Sequence, residues 1–233
     1  MSDGLMNSVQ ALGAAEKRLE SIASNLANLG VNGFKRGSTS SRSFDVFLDG
    51  RMQTRTTTRR TTDFSQGPLR ATGEELDFAL HGKGFFGVEG TEGEMYTRDG
   101  RFFLDDKGVL QTMEGLPVAW DGPRGTIDPN GGKVTVDFEG NVRQGETPVG
   151  KLRVVDFERV ERLQVDRRGF YRAPNDLATT PSTAQVRQGH VESSNASAID
   201  ELVALVAVQR QFEAGTRLMS TIDQSYRRLT TPR

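Results

Sequence analysis

The chain has 233 residues, of which 35% are hydrophobic, with no cysteine and a formal net charge of −1. That size and composition allow one domain with appendages and a sizeable core. They exclude a disulfide framework and thiolate chemistry, and a charge so near zero gives no bulk attraction to nucleic acid or to an anionic membrane.

A first helix is predicted over residues 2–29. Leu5, Val9, Leu12, Glu16, Leu19, Ala23 and Leu26 recur at alternating steps of four and three, the spacing of a heptad seam. Ile22 and Leu29 lie beside the seam, and Glu16 interrupts it with a charge. Ser2 or Asp3 can cap the start, and Gly30 stands where a C-cap belongs. No basic segment leads into an apolar core at the N-terminus, so no Sec-type leader is expected. No run of about 18 apolar residues is present that would insert into a membrane.

Asn28, Gly30, Asn32 and Gly33 form a turn cluster that ends this helix, and Phe34 can anchor the outgoing chain. Residues 37–67 are rich in Ser, Thr and Arg and read as an extended connector. Arg51, Arg55, Arg59 and Arg60 cluster there. No aromatic residue interleaves them and the chain is not basic, so nucleic-acid binding is not expected.

Residues 68–173 read as β throughout. The predicted strands are 76–80, 85–88, 95–98, 101–104, 109–112, 117–120, 133–138, 151–157 and 169–172. Turn signals such as Asp99-Gly100, Asp121-Gly122 and Asn130-Gly131-Gly132 separate them. Spacing of this kind predicts an all-β module.

A second helix is predicted from Ser197 to Leu229. Ser197 can cap it, with Asp200 three residues on. Asp200 and Glu201 suit the positive end of its dipole, and Arg227 and Arg228 the negative end. Leu205, Val208, Phe212, Gly215, Met219, Ile222, Tyr226 and Leu229 give a second heptad seam, widened in front by Ile199, Leu202, Val203 and Val206. Gly215 costs about 1 kcal/mol of helix propensity, so it is expected to admit a neighbouring backbone. At roughly 1.5 Å per residue the helix approaches 50 Å, more than one domain needs to cover itself.

The expected fold class is therefore a mainly β central module, irregular and multi-stranded, flanked by long N- and C-terminal α-helices forming a coiled-coil-like stem. The expected segments are an N-terminal assembly helix and turn (1–36), a linker (37–67), the β-rich module (68–188) and a C-terminal assembly helix (189–233).

Chemical motifs are weak. Gly82, Gly84 and Gly87 satisfy a dinucleotide-binding spacing, but glycine-rich sequence follows where that site needs a helix. His81 and His190 stand alone and lack the clustered ligands of a metal site. Asp77, Asp99, Asp105 and Asp106 are scattered at turns. No catalytic residue, cofactor or metal is expected, and the chain is not expected to be an enzyme.

Three blocks of sequence resemble the axial proteins of the bacterial flagellar rod and hook. The first is Asn25-Leu26-Ala27-Asn28 followed by Gly33-Phe34-Lys35-Arg36. The second is Leu76–Leu80, Gly82–Phe86 and Tyr96–Phe102. The third is Gly189, Glu192 and Ser194-Asn195, then Gln209-Arg210-Gln211-Phe212-Glu213. Ala196, where the family has Val, and Gly215-Thr216 depart from the pattern.

The resemblance implies a basal-body rod protein. The short connection before Gly189 favours the proximal (FlgF-type) over the distal (FlgG-type) rod. It implies export by the flagellar type III apparatus and a place in the periplasm-spanning rod of the basal body. There the protein would build a helical homo-oligomer, a hollow tube that transmits torque, beside neighbouring rod and hook-basal-body proteins. Family-motif positions are Asn25, Asn28, Gly33, Phe34, Asn195, Gln209, Arg210 and Glu213. Subunit assembly is expected to use Leu5, Val9, Leu12, Leu19 and Leu26 against Leu205, Phe212, Met219, Ile222 and Tyr226. The competing reading is a ligand-binding β protein whose helices serve as dimerisation arms.

Overall fold

The computed structural model describes residues 2–48, 51–166 and 168–230. The chain divides into two units: Met1–Asn28, Arg36–Asp63 and Ala196–Arg233 form one, and Leu29–Lys35 with Phe64–Asn195 forms the other.

The first unit holds helix α1 (Ser2–Ala27), strands β1 (Gly37–Leu48) and β2 (Arg51–Thr62), and helix α2 (Ala198–Thr230). β1 and β2 pair antiparallel without a break, from Gly37 opposite Thr62 to Leu48 opposite Arg51. The segment expected to be a linker is thus a hairpin. β-Branched threonine favours the extended backbone. Facing hydroxyls meet across the strands, Ser38 with Thr61 at 3.3 Å and Ser41 with Thr58 at 3.4 Å. The helices meet over Ala15, Ile22 and Val208, with Leu26, Ala204 and Leu205 packed around them.

This arrangement overturns the coiled-coil-like stem. Two α-helices stand among many short strands in the described residues, and their predicted seams do not close on each other. Val9 and Leu19 remain 49% and 41% exposed and Phe212 47%. The reason is that α1 serves two neighbours. Ala15 and Ile22 face α2, while Ser21 and Asn25 are buried by bonds to Gly37 at the start of the hairpin. A helix shared in this way cannot keep a single two-helix seam. The side chains of Leu5 and Tyr226 lie outside the described residues.

Among its described residues the second unit carries fifteen short strands. They are β3 (Leu69–Ala71), β4 (Phe78–His81), β5 (Phe85–Gly90), β6 (Gly93–Thr97), β7 (Phe102–Leu104), β8 (Leu110–Thr112), β9 (Val134–Val136) and β10 (Asn141–Gln144). They continue with β11 (Thr147–Lys151), β12 (Val154–Phe157), β13 (Gln164–Val165), β14 (Tyr171–Arg172), β15 (Thr179–Pro181), β16 (Gln185–Gln188) and β17 (His190–Glu192). The largest sheet runs β13-β14-β6-β5-β12-β15; β11-β10-β9 forms a second, and β16-β4, β17-β3 and β7-β8 are pairs. The stretch expected as a strand at 117–120 makes single bridges instead, Val118 with Val88 and Trp120 with Leu152.

β5 is the wall between two cores. Its side chains alternate faces. Phe86 enters a cluster with Phe78, Leu80, Phe102, Val118, Trp120 and Leu152, and meets Phe102 edge-to-face at 5.4 Å. Phe85 enters the other, 5.3 Å from Tyr171 and 5.9 Å from Phe157.

Phe86 is fully buried, so Phe86→Ala is expected to lower unfolding free energy by about 3–5 kcal/mol, read by urea titration. The phenols add a pH limit. Burial, then the Glu94 carboxylate that accepts the Tyr96 hydroxyl at 3.2 Å, pushes Tyr96 up to about 12. Burial raises Tyr171 as well. An unfolded phenol ionises near about 10. The folded state therefore keeps the proton longer, and its stability is present below pH 10 and lost as pH rises toward 12. Thermal unfolding across that window should show the loss, and Tyr96→Phe should flatten it.

Candidate functional site

Two polar knots hold the segments that carry the family-like motifs. In the β-rich unit the centre is Glu192, at the end of β17 and fully buried. Lys35 Nζ donates to its Oε1 at 2.5 Å and Arg98 Nη1 to its Oε2 at 3.0 Å. The Gly67 N–H reaches Oε1 at 2.9 Å. Lys35 also donates to the Ser65 carbonyl at 2.7 Å, and Arg98 to that of Gly82 at 3.0 Å, with its guanidinium 5.2 Å above the Phe85 ring.

Backbone bonds close the same place. The Gly33 N–H donates to the Glu192 carbonyl at 2.7 Å, and Asn195 N–H to that of Phe34 at 3.3 Å. The Asn195 amide donates to Ser65, at 3.0 Å to the carbonyl and 3.1 Å to the hydroxyl. Gly33 is buried with φ +69, and a Cβ there would stand 2.4 Å from the Arg98 carbonyl carbon.

In the helical unit the centre is Glu201, in the first turn of α2, where the helix dipole favours a negative charge. Arg36 Nε donates to its Oε1 at 2.5 Å and Asn25 Nδ2 at 3.1 Å. Asn25 and Gly37 bond reciprocally, Nδ2 to the carbonyl at 2.8 Å and N–H to Oδ1 at 2.9 Å. Ser21 adds a bond to the same carbonyl at 3.0 Å. Asn28 donates its amide to the Ser24 carbonyl at 2.7 Å, closing the end of α1. Ser197 Oγ accepts from Asp200 N–H at 3.4 Å at the start of α2.

The remaining predicted residues lie on the helices. Leu12 is half-buried and fills the space above Gly215, its Cδ2 3.0 Å from a Cβ placed there. A side chain, not a backbone, uses that glycine. Leu26 and Leu205 flank the helix core, and Met219 and Ile222 are half-buried. Phe212 and Gln209 line a groove with Ala15, Glu16, Leu19, Val208 and Glu213.

The outward side of α2 is apolar too. Ile199, Leu202, Val203 and Val206 are 75%, 52%, 66% and 47% exposed. Spacing of i, i+3, i+4 and i+7 puts them on one face, opposite Ala204, Leu205 and Val208. Arg210 and Glu213 follow Val203 and Val206 by seven residues each, so they continue that face, and both are exposed.

Sequence reasoning took Glu201 for a dipole partner and Glu192 for a motif letter; it did not find that both are buried counter-ions. The available signal for Glu201 was a carboxylate set within an apolar stripe; Glu192, followed by Ser193, Ser194 and Asn195, gave no such signal. The glycines at 82, 84 and 87 lead into β5 and not into a helix, so no phosphate cradle forms. No group of three or more metal-ligating side chains occurs among the described residues, and no described helix is long and apolar enough to cross a membrane.

The sequence is similar to those of known proteins. Residues 79–144 match the family described as flagellar hook protein FlgE/F/G D1 domain, and residues 187–231 that described as flagellar basal body rod FlgEFG protein C-terminal. The chain is 36% identical to the flagellar basal-body rod protein FlgF of Caulobacter vibrioides, with 87% of this chain and 86% of that protein covered. It is 31% identical to the rod protein FlgG of Buchnera aphidicola subsp. Schizaphis graminum, covering 99% of both chains. It is also 31% identical to FlgF of Salmonella typhimurium, over 92% of this chain and 93% of that one.

Gly33→Ala combines a left-handed backbone with a backbone overlap. It is expected to destabilise the β-rich unit by about 2–5 kcal/mol, measured by urea unfolding followed through Trp120 fluorescence.

Proposed function

The chain belongs to the flagellar basal-body rod protein family as a structural subunit, and we propose that it assembles through its terminal helices into a hollow helical tube of like subunits. The observation that supports this is the outward face of α2. Four apolar side chains stand there in the open, between 47% and 75% exposed, within the block shared with the rod family. Contiguous exposed apolar surface marks an interaction site. When such a face docks on a different surface of the next copy, the contact does not close on itself and a helical filament grows.

Arg210 and Glu213 set the charge that a docking surface must answer, and the groove bearing Glu16, Gln209, Phe212 and Glu213 offers a second contact. Leu12, Leu19 and Val9 contribute from α1. The partners in this reading are further copies of the chain, neighbouring rod and hook-basal-body proteins, and the flagellar type III export apparatus. The role is mechanical, carrying torque and not catalysing a reaction. The proximal (FlgF-type) position is supported by the short connection before Gly189 and by the 36% identity to the Caulobacter protein.

The test is the double substitution Val203→Asp with Val206→Asp. Both sites are exposed, so thermal stability should stay within about 0.5 kcal/mol of the parent. Assembly in sedimentation assays and swimming of cells carrying only the variant should both be lost. A variant that remains folded, assembles and supports swimming would sink the proposal.

A further inference from the structure

Each buried carboxylate comes late in the chain and closes on a cation that comes early. Lys35 and Glu192 are 157 positions apart, and Arg36 and Glu201 are 165 apart. The two cations are neighbours in sequence, yet each belongs to a different unit. Asn25 likewise reaches Glu201 across 176 positions.

The dependence extends to the backbone. The acceptor for the Gly33 N–H is the Glu192 carbonyl, and the donor to the Phe34 carbonyl is Asn195. Lys35 is as buried as its partner, both side chains 1% exposed. An ammonium group enters such a place only with a counter-charge. Contacts that close loops this long form late, because chain entropy opposes them until much else is in place.

We propose that Glu192 and Glu201 form a completion latch. Residues 29–37 lock only when residues 190–201 have arrived, so a chain still unfinished, or cut short before Glu192, holds its early turn open. Glu192 fixes Gly33 and Lys35, and Asn195 fixes Phe34, in the β-rich unit. Glu201 fixes Asn25, Arg36 and, through Asn25, Gly37 in the helical unit. The inference concerns the single chain and does not rest on the assembly reading.

The experiment is pulsed hydrogen exchange during refolding of the full chain, read by mass spectrometry on peptides covering 29–37, 85–97 and 190–201. Protection over 29–37 is expected no earlier than protection over 190–201. Protection of 29–37 that precedes it overturns the latch. Equilibrium exchange of two full-length variants supplies the second readout. Glu192→Gln should raise exchange over 29–37 at least tenfold relative to 85–97. Lys35→Met, which leaves Glu192 paired with Arg98, should do the same with the sheet untouched, and it decides the matter should Glu192→Gln fail to fold. Unchanged exchange over 29–37 in folded Lys35→Met also overturns the proposal.

Discussion

Glu192 carries a full negative charge into a place water does not reach. Removing an ion from water costs several kcal/mol even after relaxation. What offsets that cost is a complete set of donors: an ammonium, a guanidinium and a backbone N–H all converge on the two oxygens. The arrangement acts on specificity more than on stability. β17 is three residues long and pairs with β3 so that Glu192 stands opposite Leu69. A slip of one residue would send its side chain to the other face of the sheet, leaving Lys35 and Arg98 without that carboxylate. In β3 and β17 the apolar residues are Leu69, Ala71 and the fully buried Val191, and the buried charge adds to their choice of register.

The helical unit solves a related problem with one amide. Asn25 gives Gly37 both halves of a backbone-like pair and still reaches Glu201. A helix residue thereby acts as the first pairing partner of a strand, and the hairpin starts at a fixed distance from α1. Arg36 extends the tie, because its carbonyl accepts the Asp63 N–H just past the last residue of β2, at the hairpin's open end. A two-stranded hairpin is marginal in water by itself. Here its open end is held by side chains from two helices.

The β-rich unit was readable where aromatic and β-branched residues alternate between glycine turns. The strands around Phe85, Met95, Phe102 and Leu110 follow from that pattern. The segment 37–62 was readable only in part: Phe44, Val46, Phe47 and Leu48 suggest a strand edge, but Ser, Thr and Arg elsewhere offer no apolar period to reveal the pairing. Strands β10, β11, β16 and β17 are too short or too polar to announce themselves. The helix seam failed for a different reason. Leu5, Val9, Leu12 and Leu19 outweigh Ala15 on any hydrophobic scale, yet Ala15 lies at the crossing because it is small. Asn25, Gly33 and Asn195 were found as a family pattern. Their work was hidden because each depends on a partner far along the chain.

The distribution of buried surface bears on why an outward face is left bare. Among the described residues the helical unit buries Ala15, Ile22 and Val208 as its apolar core, against twelve side chains in the largest cluster of the β-rich unit. At about 1.5–3 kcal/mol for each fully buried large side chain, three residues, one of them alanine, leave little margin over the entropy of ordering two helices and a hairpin. Ile199, Leu202, Val203 and Val206 are therefore an unused source of stability among the described residues, and under the proposed assembly covering them would strengthen the fold and the contact together. Arg210 and Glu213 limit what can cover them. Glu213 has Arg217 one turn along the same helix at 4.0 Å, so under the proposed assembly a purely apolar cover would desolvate Arg210 and that pair, at a cost the contact would have to offset.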